Sequence, residues 1–139
     1  MRIMAIDYGD AHTGIAISDP TGLLTGYTTT IDAYRAETVA ERIADLAREH
    51  GVEELVLGYP RNMDGSVGPR AEKAEAMAER LRGVTGLPVT LWDERRTTID
   101  AHQILFQNGK NAKKRKKTVD AVAASLILEG YLTYKKSRP

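Results

Sequence analysis

The chain opens with two short apolar runs, residues 3–7 (Ile-Met-Ala-Ile-Asp) and 14–18 (Gly-Ile-Ala-Ile-Ser), separated by a turn that contains Gly and Asp. Runs of this length bounded by turn residues predict a pair of antiparallel strands. After the turn cluster Asp19-Pro20-Thr21-Gly22, the β-branched stretch 25–31 predicts a third strand completing a meander. The period then changes. Val39, Ile43, Leu46 and His50 recur at helical spacing, which predicts an amphipathic helix ended by Gly51. Residues 54–58 predict a buried strand and 59–68 a loop. Pro69 then starts a second helix whose apolar face is Ala71, Ala74, Ala78 and Leu81.

Residues 87–94 predict the fifth strand, with Pro88 at its start where a missing donor is tolerated. Thr97 or Thr98 caps a third helix carrying Ala101, Leu105 and Phe106 and ended by Gly109. A last helix is expected over 118–134, where Val119, Val122, Ala123, Leu126, Ile127 and Tyr131 repeat at helical spacing. A meander followed by strands alternating with helices demands an α/β fold with a mixed sheet and crossover helices. With 139 residues and neither internal repeat nor linker, one domain spanning 1–139 is expected.

Composition narrows the class. The 42% hydrophobic share is that of a folded globular chain, and no apolar stretch approaches the roughly 18 residues of a membrane span. The run Ile3-Met4-Ala5-Ile6 ends at a carboxylate, too short for a signal peptide, and the absence of cysteine excludes disulfides and thiolate metal sites. A cytoplasmic location is the expectation.

The formal charge of +1 conceals an asymmetry: residues 95–139 hold eleven Lys/Arg against three Asp/Glu, and residues 1–94 hold nine against sixteen. Lys110, Lys113, Lys114, Arg115, Lys116 and Lys117 put six positive charges into eight residues. Such a run is either a solvated segment or the contact for a polyanion.

Three acidic positions lie against apolar sequence: Asp7 ends the first strand, Asp93-Glu94 the fifth, and Asp120 sits in what is expected to be the first turn of the last helix, where the helix dipole favours its ionised form. Ligands of α/β sheets gather beyond the carboxyl ends of strands, and Asp120 reaches the same region if its helix packs the Ala123-Ala124 face closely on the sheet. Three convergent carboxylates make a hard oxygen cage suited to Mg²⁺ or Mn²⁺, one ion or a pair. The alternative is that each acid is a plain strand-end or helix-start residue. A polycation immediately before Asp120 favours the metal reading, with a phosphate backbone as the substrate. Adjacent strand residues face opposite ways, so one of Asp93 and Glu94 joins Asp7, and the choice awaits the register.

Asp7-Tyr8-Gly9 with Gly14-Ile15-Ala16-Ile17-Ser18-Asp19, Gly58-Tyr59-Pro60 with Gly65, Asp93-Glu94-Arg95 with Thr97-Thr98, and the basic 113–117 run with Asp120, Ala123-Ala124, Ile127-Leu128 and Tyr131-Leu132 together resemble the YqgF/RuvX family. That family is described as Holliday junction resolvases and as nucleases that mature the 5′ end of pre-16S ribosomal RNA. The resemblance spans nearly the whole chain. It implies an RNase H-like fold with helices on both faces of the sheet, and Asp7, Glu94 and Asp120 as the metal-binding catalytic triad. On that reading Asp7 bridges two Mg²⁺ or Mn²⁺ ions that activate water for in-line attack on a phosphodiester. One stretch departs from the family: many members carry basic residues where this chain has Asp10-Ala11-His12. A phosphate contact from that loop is then in question, with Asp10 repelling the backbone and His12 compensating when protonated.

Nucleic-acid contacts are expected from Arg95 and Arg96, which can grip a phosphate in bidentate fashion or pair with surface acids, and from Lys110, Lys113, Lys114, Arg115, Lys116 and Lys117, which bind backbone without reading bases. Tyr8 is the stacking candidate beside Asp7, while Trp92 and Phe106 read as core. The partner is structured RNA or branched DNA, with the chain as a monomer or weak homodimer and no membrane contact. Two rivals stand beside the nuclease. A sugar kinase or actin-like ATPase uses a similar first turn but needs two such domains, and a non-catalytic nucleic-acid module would keep the acids for structure.

Overall fold

The computed structural model describes residues 1–59, 68–93 and 112–136, with side chains in the last stretch from Asp120 onward. Five strands, β1 (Arg2–Asp7), β2 (His12–Ser18), β3 (Thr25–Asp32), β4 (Val52–Tyr59) and β5 (Val89–Asp93), form one sheet in the order β3-β2-β1-β4-β5. The meander β1-β2-β3 is antiparallel, and β1, β4 and β5 run parallel. The described helices are α1 (Ala36–His50), α2 (Pro69–Thr85) and α3 (Ala112–Lys136). Parallel neighbours need a crossover: α1 returns the chain from β3 to β4, and α2 carries it from β4 to β5. The expected mixed α/β architecture is therefore present. The expected third helix and most of the 59–68 loop lie outside the described residues. No helix among those described is long and apolar enough to cross a membrane.

Burial on both faces explains why β1 reads as an unbroken apolar run. Met4 and Ile6 enter a core with Val39 and Ile43 of α1 and Met77 and Leu81 of α2. Ile3 and Ala5 enter a second core with Ala16, Val56 and, from α3, Ala124, Ile127 and Leu128. Alternation along the strands thus separates an α1/α2 face from an α3 face. Small residues line the α3 face of the two central strands, and Ala123 and Ala124 meet them fully buried. The close packing of the Ala123-Ala124 face is the arrangement the sequence required for Asp120 to reach the sheet.

One boundary differs in a way that matters. The last helix starts at Ala112, not near 118, so the basic run is part of it. Ala, Lys and Arg are strong helix formers and 112–117 contains neither Gly nor Pro, so the run extends the helix instead of preceding it. Asp120 then stands in the third turn, beyond the reach of the N-terminal dipole, and the first-turn argument for its ionisation falls.

The far half of α3 is fixed by a polar anchor. Glu54 of β4, 7% exposed, accepts hydrogen bonds from the hydroxyl of Tyr131 and from Nζ of Lys135 at 2.8 Å. A buried carboxylate needs such partners. Burial, then the Glu54 carboxylate, raises the Tyr131 pKa, and the same carboxylate raises that of Lys135. Both groups hold their protons more tightly in the folded chain. Their contribution is full below their ordinary values and is lost as pH climbs through the raised ones. Urea unfolding is expected to show stability falling above about pH 10. Tyr131→Phe should cost about 1–3 kcal/mol near neutrality, because a buried acceptor loses a donor, and should flatten part of that alkaline fall.

Candidate active site

Asp7 is the last residue of β1, and antiparallel pairing sets it opposite Gly14 of β2. At that point α3 crosses the sheet. A methyl group on Gly14 would land on the backbone carbonyl of Asp120, so glycine is what lets the helix backbone touch the strand. Asp7 and Asp120, eight elements of sequence pattern apart in the chain, are both neighbours of one residue. Asp7 shares the parity of Ala5 and so belongs to the α3 face. Both acids are half-buried, and Oδ2 of Asp120 is withdrawn from solvent. Hard carboxylate oxygens, partly shielded, are the donor set that Mg²⁺ or Mn²⁺ takes, so the residues present fit such an ion.

The register also resolves Asp93. It pairs with Tyr59, and Tyr59 and Leu91 pack on the α1/α2 core, so Asp93 lies on the face away from Asp7. Glu94, Arg95, Arg96 and Lys110 lie outside the described residues. Lys113, Lys114, Arg115, Lys116 and Lys117 stand in the first two turns of α3, where the backbone alone is described. Among the described residues no group of three or more His, Asp or Glu side chains comes together as a metal cage.

Other expectations change. Tyr8 packs against the α1/α2 core, on the opposite face from Asp7, and is not placed to stack a base there. Trp92 does pack as core, against the α3-face cluster, with its ring edge-on to Tyr131 and Tyr134 at centroid distances of 5.7 and 5.6 Å. Asp10 does not stand alone as a repelling charge: Nζ of Lys73 on α2 lies 3.3 Å from its Oδ1. His12 is the first residue of β2, with Nδ1 2.8 Å from Oδ1 of Asp32. The role of Gly14 was the residue-level signal missed in the sequence. A glycine inside an apolar strand marks a place where another backbone comes close.

The model of the family described as "RuvX: Holliday junction resolvase" matches residues 1–134. The chain belongs to the RuvX family. Curated RuvX relatives carry the name "Putative pre-16S rRNA nuclease". The one from Halothermothrix orenii is 45% identical over 134 residues, covering 96% of each chain. That from Pelotomaculum thermopropionicum is 46% identical, covering 95% of this chain and 86% of its own. Among solved structures, RuvC of T. thermophilus in complex with a Holliday junction substrate superposes with a TM-score of 0.62 at 15% identity, covering 99% of this chain and 96% of that one. The large terminase nuclease of phage G20c gives 0.56 at 12% identity, covering 94% and 81%. At these identities the likeness is one of fold, and the fold of this RuvX member is RNase H-like, as its sequence resemblance implies. A ROK hexokinase from Thermus thermophilus gives 0.52 at 23% identity, but only 38% of that chain is covered.

Gly14→Ala tests the helix–strand contact. The obstructing atoms are backbone and have no rotamer to yield, so α3 must lift from β2. A loss of about 1–3 kcal/mol in thermal or urea unfolding is expected, as for overpacked cores. An unchanged stability would show that the two backbones are not held in contact.

Proposed function

We propose that this chain is a divalent-metal-dependent nuclease that hydrolyses phosphodiester bonds of nucleic acid and acts in maturing the 5′ end of pre-16S ribosomal RNA. The observation that carries the reading is the contact at Gly14, which joins Asp7 and Asp120 at the carboxyl end of β1. The third acid of the site is Glu94. Asp93 faces away from Asp7, which leaves Glu94, the acid that the family resemblance implies. Family membership and the names of the relatives support hydrolysis of nucleic acid as the activity.

In this reading Asp7, Glu94 and Asp120 hold the metal, one ion or two, through carboxylate oxygens. A bound divalent cation supplies charge stabilisation at the phosphoryl oxygens and lowers the pKa of water. The protein's own part is positional. β1 and α3 fix two of the acids on rigid elements, and the apolar packing around Ala5, Ala16 and Ala124 keeps the helix from shifting. The basic residues supply the phosphate affinity. Lys117, Lys116 and Lys113 stand three, four and seven positions before Asp120 in one continuous helix, spacings that share a helical side. Arg95 and Arg96 follow Glu94 directly. A second reading, cleavage of four-way DNA junctions, draws on the family description and would use the same site.

A cleavage panel with Mg²⁺ or Mn²⁺, comparing precursor RNA 5′ ends, four-way junctions and plain duplexes, separates the two substrates. Asp7→Asn and Asp120→Asn are each expected to reduce cleavage at least about a hundredfold, since losing a ligand exceeds the usual cost of losing a residue behind one. Binding of the uncleaved strand should survive in both. Full activity in Asp7→Asn would sink the proposal. Lys113→Glu with Lys117→Glu should weaken binding of every sequence alike and lower the salt dependence by about one per lost phosphate contact. Calorimetry showing nucleic-acid binding without Mn²⁺ binding would leave a non-catalytic module.

A further inference from the structure

We infer that His12, oriented by Asp32, is a phosphate contact for the nucleic-acid strand bound at this site. The inference rests on the nucleic-acid reading above and extends it to a residue outside the acidic triad and the basic run.

Three observations lead there. His12 and Asp32 are register partners across β2 and β3, one pair beyond Gly14 and Thr30 on the same sheet face. Gly14 is the residue that joins Asp7 to Asp120, so the imidazole stands on the α3 face, beyond the carboxylates at the same end of the sheet. Second, the ring is held. Asp32 Oδ1 lies 2.8 Å from Nδ1, which makes Nδ1 the donor to the carboxylate and turns Nε2 to other work. The His12 side chain keeps 22% of its surface exposed, enough for a ligand to reach it. Third, the backbone beneath it is tightly set. A methyl group on Gly9 would collide with the carbonyl oxygen of His12, and the Ala33 amide donates to the carbonyl of Ala11 at 3.1 Å. The tip of the hairpin is thus pinned to the end of β3.

An oriented imidazole beside a metal-binding pair of acids suits an anion. When protonated it donates from Nε2 to a phosphoryl oxygen, a charge-assisted hydrogen bond, while Asp32 keeps the ring in place. Among the described residues, the charged groups at this end of the sheet come from several elements. Asp32 belongs to β3, and its backbone carbonyl accepts from Arg42 of α1 at 3.4 Å. Asp10 at the hairpin tip is paired with Lys73 of α2. Asp7 comes from β1 and Asp120 from α3. With Asp10 paired, the tip presents less negative charge to a strand than the sequence alone indicates.

The test is the affinity of the full chain for a fluorescein-labelled single-stranded RNA, without divalent metal, measured by anisotropy from pH 5.5 to 8 at one low salt concentration, the range in which imidazoles change charge. The wild type is expected to bind severalfold tighter at the acid end. His12→Gln should remove most of that gain and leave binding near the wild-type level at pH 8. His12→Arg should bind tightly across the range, and Asp32→Asn should weaken the acid-end gain. Thermal unfolding of the same variants separates binding from hairpin stability. A His12→Gln variant that keeps the wild-type pH profile overturns the inference, even if its melting temperature falls. That result would leave the nuclease reading untouched, since Asp7→Asn tests it separately. A wild type that binds no RNA and no junction DNA at any pH overturns both.

Discussion

The backbone of α3 touches the backbone of β2 at Gly14, and this contact decides where Asp120 can be. Helices normally stand off from a sheet because side chains fill the space between. Here the space is reduced by Gly14, Ala5 and Ala16 on the strands and by Ala123 and Ala124 on the helix. Each of these residues gives up apolar area that a leucine would bury. The return is position. Asp7 is opposite Gly14 by strand pairing, so an acid from the other end of the chain is brought beside the acid that ends β1.

A single contact leaves a helix free to swing about it. The second restraint is at the other end of α3, where Glu54 holds Tyr131 and Lys135. Tyr131 follows Asp120 by eleven residues, about 16 Å along a helix, so the two restraints are well separated. Trp92 closes over the same end through its edge contacts with Tyr131 and Tyr134. A buried ion-paired carboxylate is a costly way to gain stability, since well-packed apolar residues often do as well. It does fix an orientation, because the donors must meet the acceptor at set angles. The polar anchor under the C-terminal half is in this sense part of how the N-terminal half presents Asp120.

Much of this was legible in the residues. Short apolar or β-branched runs bounded by turn residues located five strands, helical spacing located the three described helices, and a meander followed by crossovers fixed the class of sheet. The acids Asp7 and Asp120 stood out because carboxylates against apolar sequence need a reason. What the pattern did not contain was register. Asp93 and Glu94 are indistinguishable until Tyr59 is seen to pair with Asp93, because a shift of one residue exchanges the faces of a strand. The His12–Asp32 and Glu54–Tyr131 pairs are hidden for the same reason, with partners 20 and 77 residues apart. The start of α3 was misplaced because a dense run of like charge reads as a solvated loop. Backbone propensity favours helix there, and it prevailed.

That last difference changes the electrostatics of the site. A basic loop would be a tether, free to move relative to Asp120. A basic helix is a rod, and 113–117 then stand about 4–11 Å from Asp120 along its axis, of the order of the Debye length at physiological salt. Residues 1–94, Asp7 among them, carry more acid than base, and Asp120 adds a further carboxylate at the site. A phosphate strand approaching Asp7 is repelled by the body of the protein and by the acids themselves. Positive charge carried on the element that supplies Asp120 offsets the repulsion at the place where it is strongest. On the nuclease reading proposed above, the strand is then drawn to the carboxylates and not merely to the protein, and the position that the Gly14 contact gives to one acid also sets where the attracting field is centred.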